Sequence, residues 1–166
     1  MARSNLVLLL IPTCLLGCPL DRHETDWERT PAGWKVEWRP EGSEAAGLYT
    51  KDEVFLLFDL RMEEALASVG RPRGLEDYGF ILIDNASFTL DNGLHAAGMW
   101  DPNGKITVCL YQNQSLPVGT PAPPEALLWT VYVGPLSGLT WYATYPASVP
   151  FPALDHELLH ANGETH

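Results

Sequence analysis

His156-Glu157-Leu158-Leu159-His160-Ala161-Asn162-Gly163-Glu164-Thr165-His166 is the last stretch of the sequence, and its spacing organises the reading of everything before it. His156 and His160 are four residues apart, so on a helix they share one face, one turn from each other. Two neutral imidazoles on adjacent turns can converge on one zinc ion. Glu157 follows the first histidine and is expected on the exposed edge of the same helix. There it can take a proton from a metal-bound water as general base. His166 imposes a further condition. On a continuous helix it would lie roughly 15 Å along the axis from His156, at about 1.5 Å per residue. The chain must therefore leave the helix and turn back. Asn162-Gly163 supplies the means, because glycine accepts positive φ at a helix C-terminus and asparagine suits turns.

The pattern HExxHxxGxxH resembles the signature of the metzincin zinc peptidases. The resemblance implies that His156, His160 and His166 are zinc ligands and that Glu157 is the general base. It makes Gly163 the glycine that ends the active-site helix, with Zn2+ as the cofactor and a water in the fourth position. The activity it implies is hydrolysis of an internal bond in a peptide or protein substrate. Within zinc hydrolases a second set stays open, with Glu164 as third ligand in place of His166. Metzincins carry a methionine-containing turn after the third histidine. Met1, Met62 and Met99 all precede it here.

Composition sets bounds. The chain has 166 residues, 46% of them hydrophobic, enough for one domain with a core. Its net charge is −11, with 21 acidic and 10 basic side chains. Nucleic-acid binding needs a basic patch, so nucleic acid is excluded as a partner. An acidic surface suits cationic peptides but mainly serves solubility.

The N-terminus reads as a lipoprotein-type signal peptide over residues 1–17. Arg3 supplies the positive charge, and Leu6 to Leu16 form an apolar run broken by Pro12, Thr13 and Cys14. Leu15-Leu16-Gly17-Cys18 resembles the bacterial lipobox, which implies lipidation at Cys18 and a membrane contact through that anchor. The expected location is the cell envelope, extracytoplasmic and lipid-anchored; an ordinary secretory signal is the alternative. Residues 18–32 read as a polar tether, and 33–166 as a single metallopeptidase-like domain. After processing, Cys18 and Cys109 remain, and Cys109 is expected as a buried strand residue.

Along the domain, Trp34-Lys35-Val36-Glu37-Trp38 alternates as a half-buried strand. Thr50-Lys51-Asp52-Glu53 is a capping box opening a helix. Val54, Phe58, Met62, Ala65 and Val69 make its inward stripe, and Gly70 and Pro72 close it. Glu63 and Glu64 are expected in solvent. Phe80-Ile81-Leu82-Ile83 is a continuous apolar run typical of a central strand. Leu94 to Trp100 and Lys105 to Tyr111 flank Asp101-Pro102-Asn103-Gly104, a hairpin signal that places one strand at a sheet edge. Gln112 to Pro124 reads as loop. Glu125 to Val133 is ambiguous between helix and strand, and Leu139 to Tyr145 reads as strand. The terminal helix is expected to start near Pro152, with Leu154, Leu158 and Ala161 inward. His23 and His95 show no ligand spacing.

These elements predict an α/β (α+β) fold: a mixed twisted sheet of about four to five strands, a backing helix and a C-terminal active-site helix. The order is similar to the N-terminal subdomain of metzincins. The resemblance implies an edge strand, around Met99 or Ile106, that pairs with extended substrate. A non-catalytic envelope lipoprotein that binds metal or a protein partner is the alternative function.

Overall fold

The computed structural model describes residues 27–40, 48–116, 120–121, 124–126, 128–134, 138–145 and 149–164. Residues 1–17, read from the sequence as a signal peptide, lie outside the described residues, as do Cys18, His23, Thr165 and His166.

The principal sheet is mixed and five-stranded. Its members are β1 (Glu28–Arg29), β2 (Lys35–Arg39), β3 (Gly79–Ile83), β6 (Gly98–Asp101) and β7 (Lys105–Cys109). Their order in space is β1-β2-β3-β7-β6. The three inner strands run parallel, with Val36 beside Phe80 and Phe80 beside Ile106. The outer two are antiparallel to their neighbours. A parallel centre buried by helices needs apolar residues on most positions, and Phe80-Ile81-Leu82-Ile83 meets that demand. The chain joins the sheet earlier than the tether boundary at residue 32 suggests, because Glu28 and Arg29 already pair with Val36 and Lys35.

Between β2 and β3 runs α1 (Lys51–Val69). Both arms of its capping box are formed. The Thr50 hydroxyl accepts from the Glu53 main-chain N–H, and the Glu53 carboxylate accepts the Thr50 N–H at 2.7 Å. Two orphan donors are thereby satisfied where the helix would otherwise fray. Its buried stripe holds Val54, Phe58, Met62 and Ala65, as the periodicity predicts, and widens to include Phe55 and Arg61. Gly70, at φ 83°, ends the helix. A 3-10 turn at Leu75–Asp77 then drops Leu75 into the core.

The core lies between this sheet and the helices. Phe58 sits at its centre, 5.2 Å from Phe80 and 5.4 Å from Phe151 between ring centroids. Tilted and edge-on pairs of this kind add about 0.5–1.5 kcal/mol each beyond area burial. The last element, α2 (Leu154–Ala161), packs on both α1 and β6. Its approach is set by Pro150-Phe151-Pro152. Phe151 is fully buried and holds φ at 52°, a left-handed conformation rare for a bulky side chain. Its main-chain N–H donates to Leu110 O at 3.3 Å.

Outside the principal sheet, β4 (Phe88–Thr89) and β5 (His95–Ala96) form a small hairpin. The Leu94–Trp100 segment is thus split between this hairpin and β6. A second sheet has the order β8-β10-β9, from β8 (Gln112–Leu116), β9 (Leu128–Gly134) and β10 (Gly138–Tyr145). Of the loop expected over Gln112 to Pro124, this corrects Gln112 to Leu116, which is strand. Gln112 to Leu116 is polar, but pairing with Tyr145 to Trp141 satisfies its main chain whatever its side chains prefer. Within the ambiguous segment Glu125 to Val133, Leu128 to Val133 is strand, paired with β10, and Glu125 lies in a turn. No helix among the described residues is long and apolar enough to cross a membrane.

Candidate metal centre on the short terminal helix

Three of α2's eight residues are the ones the sequence singles out, and the helix presents them on two faces. Leu154, Glu157 and Leu158 are buried, while His156 is exposed and His160 half-buried. Helical spacing accounts for the division, since 157 follows 154 by three and 158 follows it by four.

The two imidazoles converge. His156 Nε2 and His160 Nε2 are 3.0 Å apart, with ring planes at 85° and centroids 4.5 Å apart. Two nitrogens bound tetrahedrally to one zinc at about 2.0–2.1 Å lie roughly 3.3 Å from each other. The observed separation is therefore within a few tenths of an ångström of a shared-metal geometry. The far nitrogen of His160 is also engaged: Nδ1 faces the Glu164 main-chain carbonyl at 3.0 Å. A carbonyl only accepts, so Nδ1 carries the hydrogen and Nε2 keeps its lone pair toward His156. A hydrogen bond from the second ring nitrogen is the usual way in which a metal-binding imidazole is oriented.

That carbonyl is in reach because the helix stops where it does. Gly163 adopts φ 91°, its N–H donates to His160 O at 2.9 Å, and the Glu164 N–H donates to Leu159 O at 3.1 Å. This pair of bonds is a Schellman closure, which wants a residue with no Cβ penalty at the left-handed position. The turn folds Glu164 back over the last helical turn. Asn162 fixes it against the neighbouring helix, donating from Nδ2 to Val69 O at 3.2 Å.

Glu157 corrects an expectation. It is not on the exposed edge of the helix but 5% exposed, tucked against β6. Gly98 makes this possible. A Cβ at that position would meet Glu157 Oε1 at 2.5 Å, Ala153 Cβ at 2.8 Å and Glu157 Cγ at 2.9 Å. Burial pushes the Glu157 carboxyl above its ordinary value of 4.5. The His156 and His160 rings and a hydrogen bond from the Trp100 main chain pull it part of the way back.

One further contact holds α2 in place. Arg61 of α1 is 7% exposed and places Nη2 2.6 Å from Asp155 Oδ2, one residue before His156. The sequence gives no hint of this pair, whose members lie on different helices. Gly98 and Trp100 also escape a reading based on spacing, because their roles exist only once β6 lies beside α2. The remaining candidates stand apart. His95 is exposed in β5, and Glu164 contributes its main-chain carbonyl. Cys109 is buried in β7, where burial pushes its thiol up to about 12, so it is no nucleophile. Among the described residues no group of three His, Cys, Asp or Glu is placed to hold a metal. The chemistry of the two described donors fits zinc; the third candidate, His166, lies outside the described residues. No protein-family model, curated protein or solved structure matches the chain.

Proposed function

We propose that this chain is a zinc-dependent peptidase, with His156, His160 and His166 holding the metal and Glu157 as the general base. The observation that carries the reading is the 3.0 Å approach of the two Nε2 atoms, with His160 Nδ1 tied to a main-chain carbonyl. Without a metal the same approach is an imidazole–imidazole hydrogen bond, one Nε2–H donating to the other Nε2, and it keeps both nitrogens aimed at the position a shared ion would take on the accessible face of the helix.

Bound Zn2+ supplies a Lewis acid for the scissile carbonyl and acidifies the attacking water. The chain supplies the proton transfers. Glu157 sits one position from a ligand, largely removed from solvent, with its proton affinity raised by that removal. A carboxylate poised this way accepts the proton of the water and returns it to the leaving amine. Extended substrate is positioned by β6, which lies at the edge of the five-stranded sheet and against α2. Main-chain pairing along such an edge asks little of the substrate's side chains. In this reading Cys18 carries the lipid that retains the enzyme at the cell envelope, and replacing Cys18 by Ala is expected to release it from the membrane fraction.

The deciding experiment measures zinc content and peptide hydrolysis together. Glu157→Gln should keep the metal and lose hydrolysis, and full activity in that variant would refute the mechanism. Replacing His166 or Glu164 by Ala, with zinc stoichiometry as the readout, identifies the third ligand. A folded, zinc-loaded wild type that cleaves nothing in a peptide library would establish the non-catalytic lipoprotein instead.

A further inference from the structure

Trp100 touches two of the three described groups of the site, through two different parts of the residue. We propose that Trp100 is a positioning residue whose indole holds the His160 imidazole in its metal-facing orientation while its main chain anchors Glu157. The proposal rests on the peptidase reading above and assigns a role to a residue that no motif marks.

The indole and the imidazole lie nearly parallel, with planes at 25° and centroids 6.3 Å apart. That falls within the range of offset aromatic pairs. The indole is itself restrained. Its Nε1–H donates to the Tyr78 hydroxyl at 3.4 Å, and the ring packs against the core. Tyr78 immediately precedes β3, so the tie reaches from the start of the central strand to the edge strand. The imidazole is thus held in two ways. The bond between Nδ1 and the Glu164 carbonyl fixes one atom, and the stacked indole fixes the plane. Remove the plane and the ring can pivot about the Nδ1 bond, carrying Nε2 away from His156. The main-chain hydrogen bond to Glu157 survives any change of side chain at position 100. Side-chain variants therefore act on His160 and spare the anchor of Glu157.

The test uses the full chain and two readouts. In the metal-free protein, NMR of the histidine ring protons should show His160 shifted upfield by the indole ring current. The shift should vanish in Trp100→Leu and persist in Trp100→Phe. Zn2+ affinity, measured by competition with a chromogenic chelator, should fall about 10-fold in Trp100→Leu, the lower end of what orienting partners of metal ligands carry. In Trp100→Phe it should stay within about threefold, as loss of one weak hydrogen bond predicts. Should Trp100→Leu fail to fold, Tyr78→Phe carries the test: a smaller upfield shift and Zn2+ binding weaker by about threefold are expected. An unshifted His160 in the wild type, or undiminished Zn2+ affinity in Trp100→Leu (in Tyr78→Phe where Trp100→Leu does not fold), overturns the proposal. A wild type that shows the upfield shift but binds no Zn2+ overturns the peptidase reading and this role with it, and the ring shift tells the two failures apart.

Discussion

Replacing Gly98 by alanine tests whether the site depends on the close contact of β6 with α2. The added methyl would lie 2.8 Å from Ala153 Cβ and 2.5 Å from Glu157 Oε1. The carboxylate can rotate away, but Ala153 Cβ moves only with its backbone. Ordinary carbon–carbon contact needs about 3.5–4.0 Å, so α2 must retreat by roughly 0.7–1.2 Å or β6 must bend. Overpacking of this kind costs about 1–3 kcal/mol. If the chain is the peptidase proposed above, the retreat also carries the Glu157 carboxylate off its mark, and a displacement near 1 Å is expected to lower turnover about 100-fold. Gly104→Ala is the matched control. It has φ 84° and nothing within 4 Å, so it should cost about 1 kcal/mol through backbone strain alone. Urea denaturation of both variants gives the stabilities, and peptide hydrolysis with Zn2+ gives the rates. The reasoning holds if both lose stability but only Gly98→Ala loses turnover beyond the destabilisation. It fails if Gly98→Ala is as stable and as active as the wild type.

Glu157→Gln should raise stability in a pH-dependent way. Because the folded carboxyl titrates above its ordinary value of 4.5, folding opposes its ionisation. Below pH 4.5 both states are protonated and the variant should match the wild type. The advantage of Gln should grow as pH rises past 4.5 and level off above the folded value, read as a widening gap in Tm for the metal-free proteins. Asp155→Ala should cost more than Arg61→Met, about 2–3 against about 1 kcal/mol, because the first leaves a guanidinium that is 8% exposed with its longer 3.7 Å pair to Glu64, and the second leaves a carboxylate that is 37% exposed. Chemical denaturation decides it, and the reverse order would contradict the assignment of Arg61 as the desolvated partner. Cys109 should resist thiol reagents at pH 8 in the folded protein and react on unfolding, since burial holds its thiol near 12.

What the sequence reveals, and what it hides, follows from how local each cause is. The capping box at Thr50 and Glu53 and the apolar run of β3 are decided by neighbours in the chain, so they are legible before folding. The turn at Gly163 is likewise local, because a left-handed residue after a short helix wants glycine. The strand at Gln112–Leu116 is different. Its register comes from β10, some thirty residues on, and its polar side chains argue against it. Glu157 shows the same limit at the site. Helical spacing alone allows it either face, and only a strand that presents a glycine opposite makes the inner one available. The two histidines converge through spacing within one helix, whereas Arg61, Trp100 and Tyr78 reach the site from other elements.

α2 has eight residues and no side chain capping its N-terminus. A helix that short does not persist alone in water, where about 12–15 residues are the margin even for favourable sequences. The paired imidazoles therefore exist as a pair only while the tertiary structure stands. Whatever bridges them draws on the folding equilibrium of the entire chain: an ion present at 100 times its Kd would deepen the native well by about 2.7 kcal/mol. Chelation, by the same linkage, would lower the melting temperature of residues far from the ion and not merely loosen the last two turns of backbone.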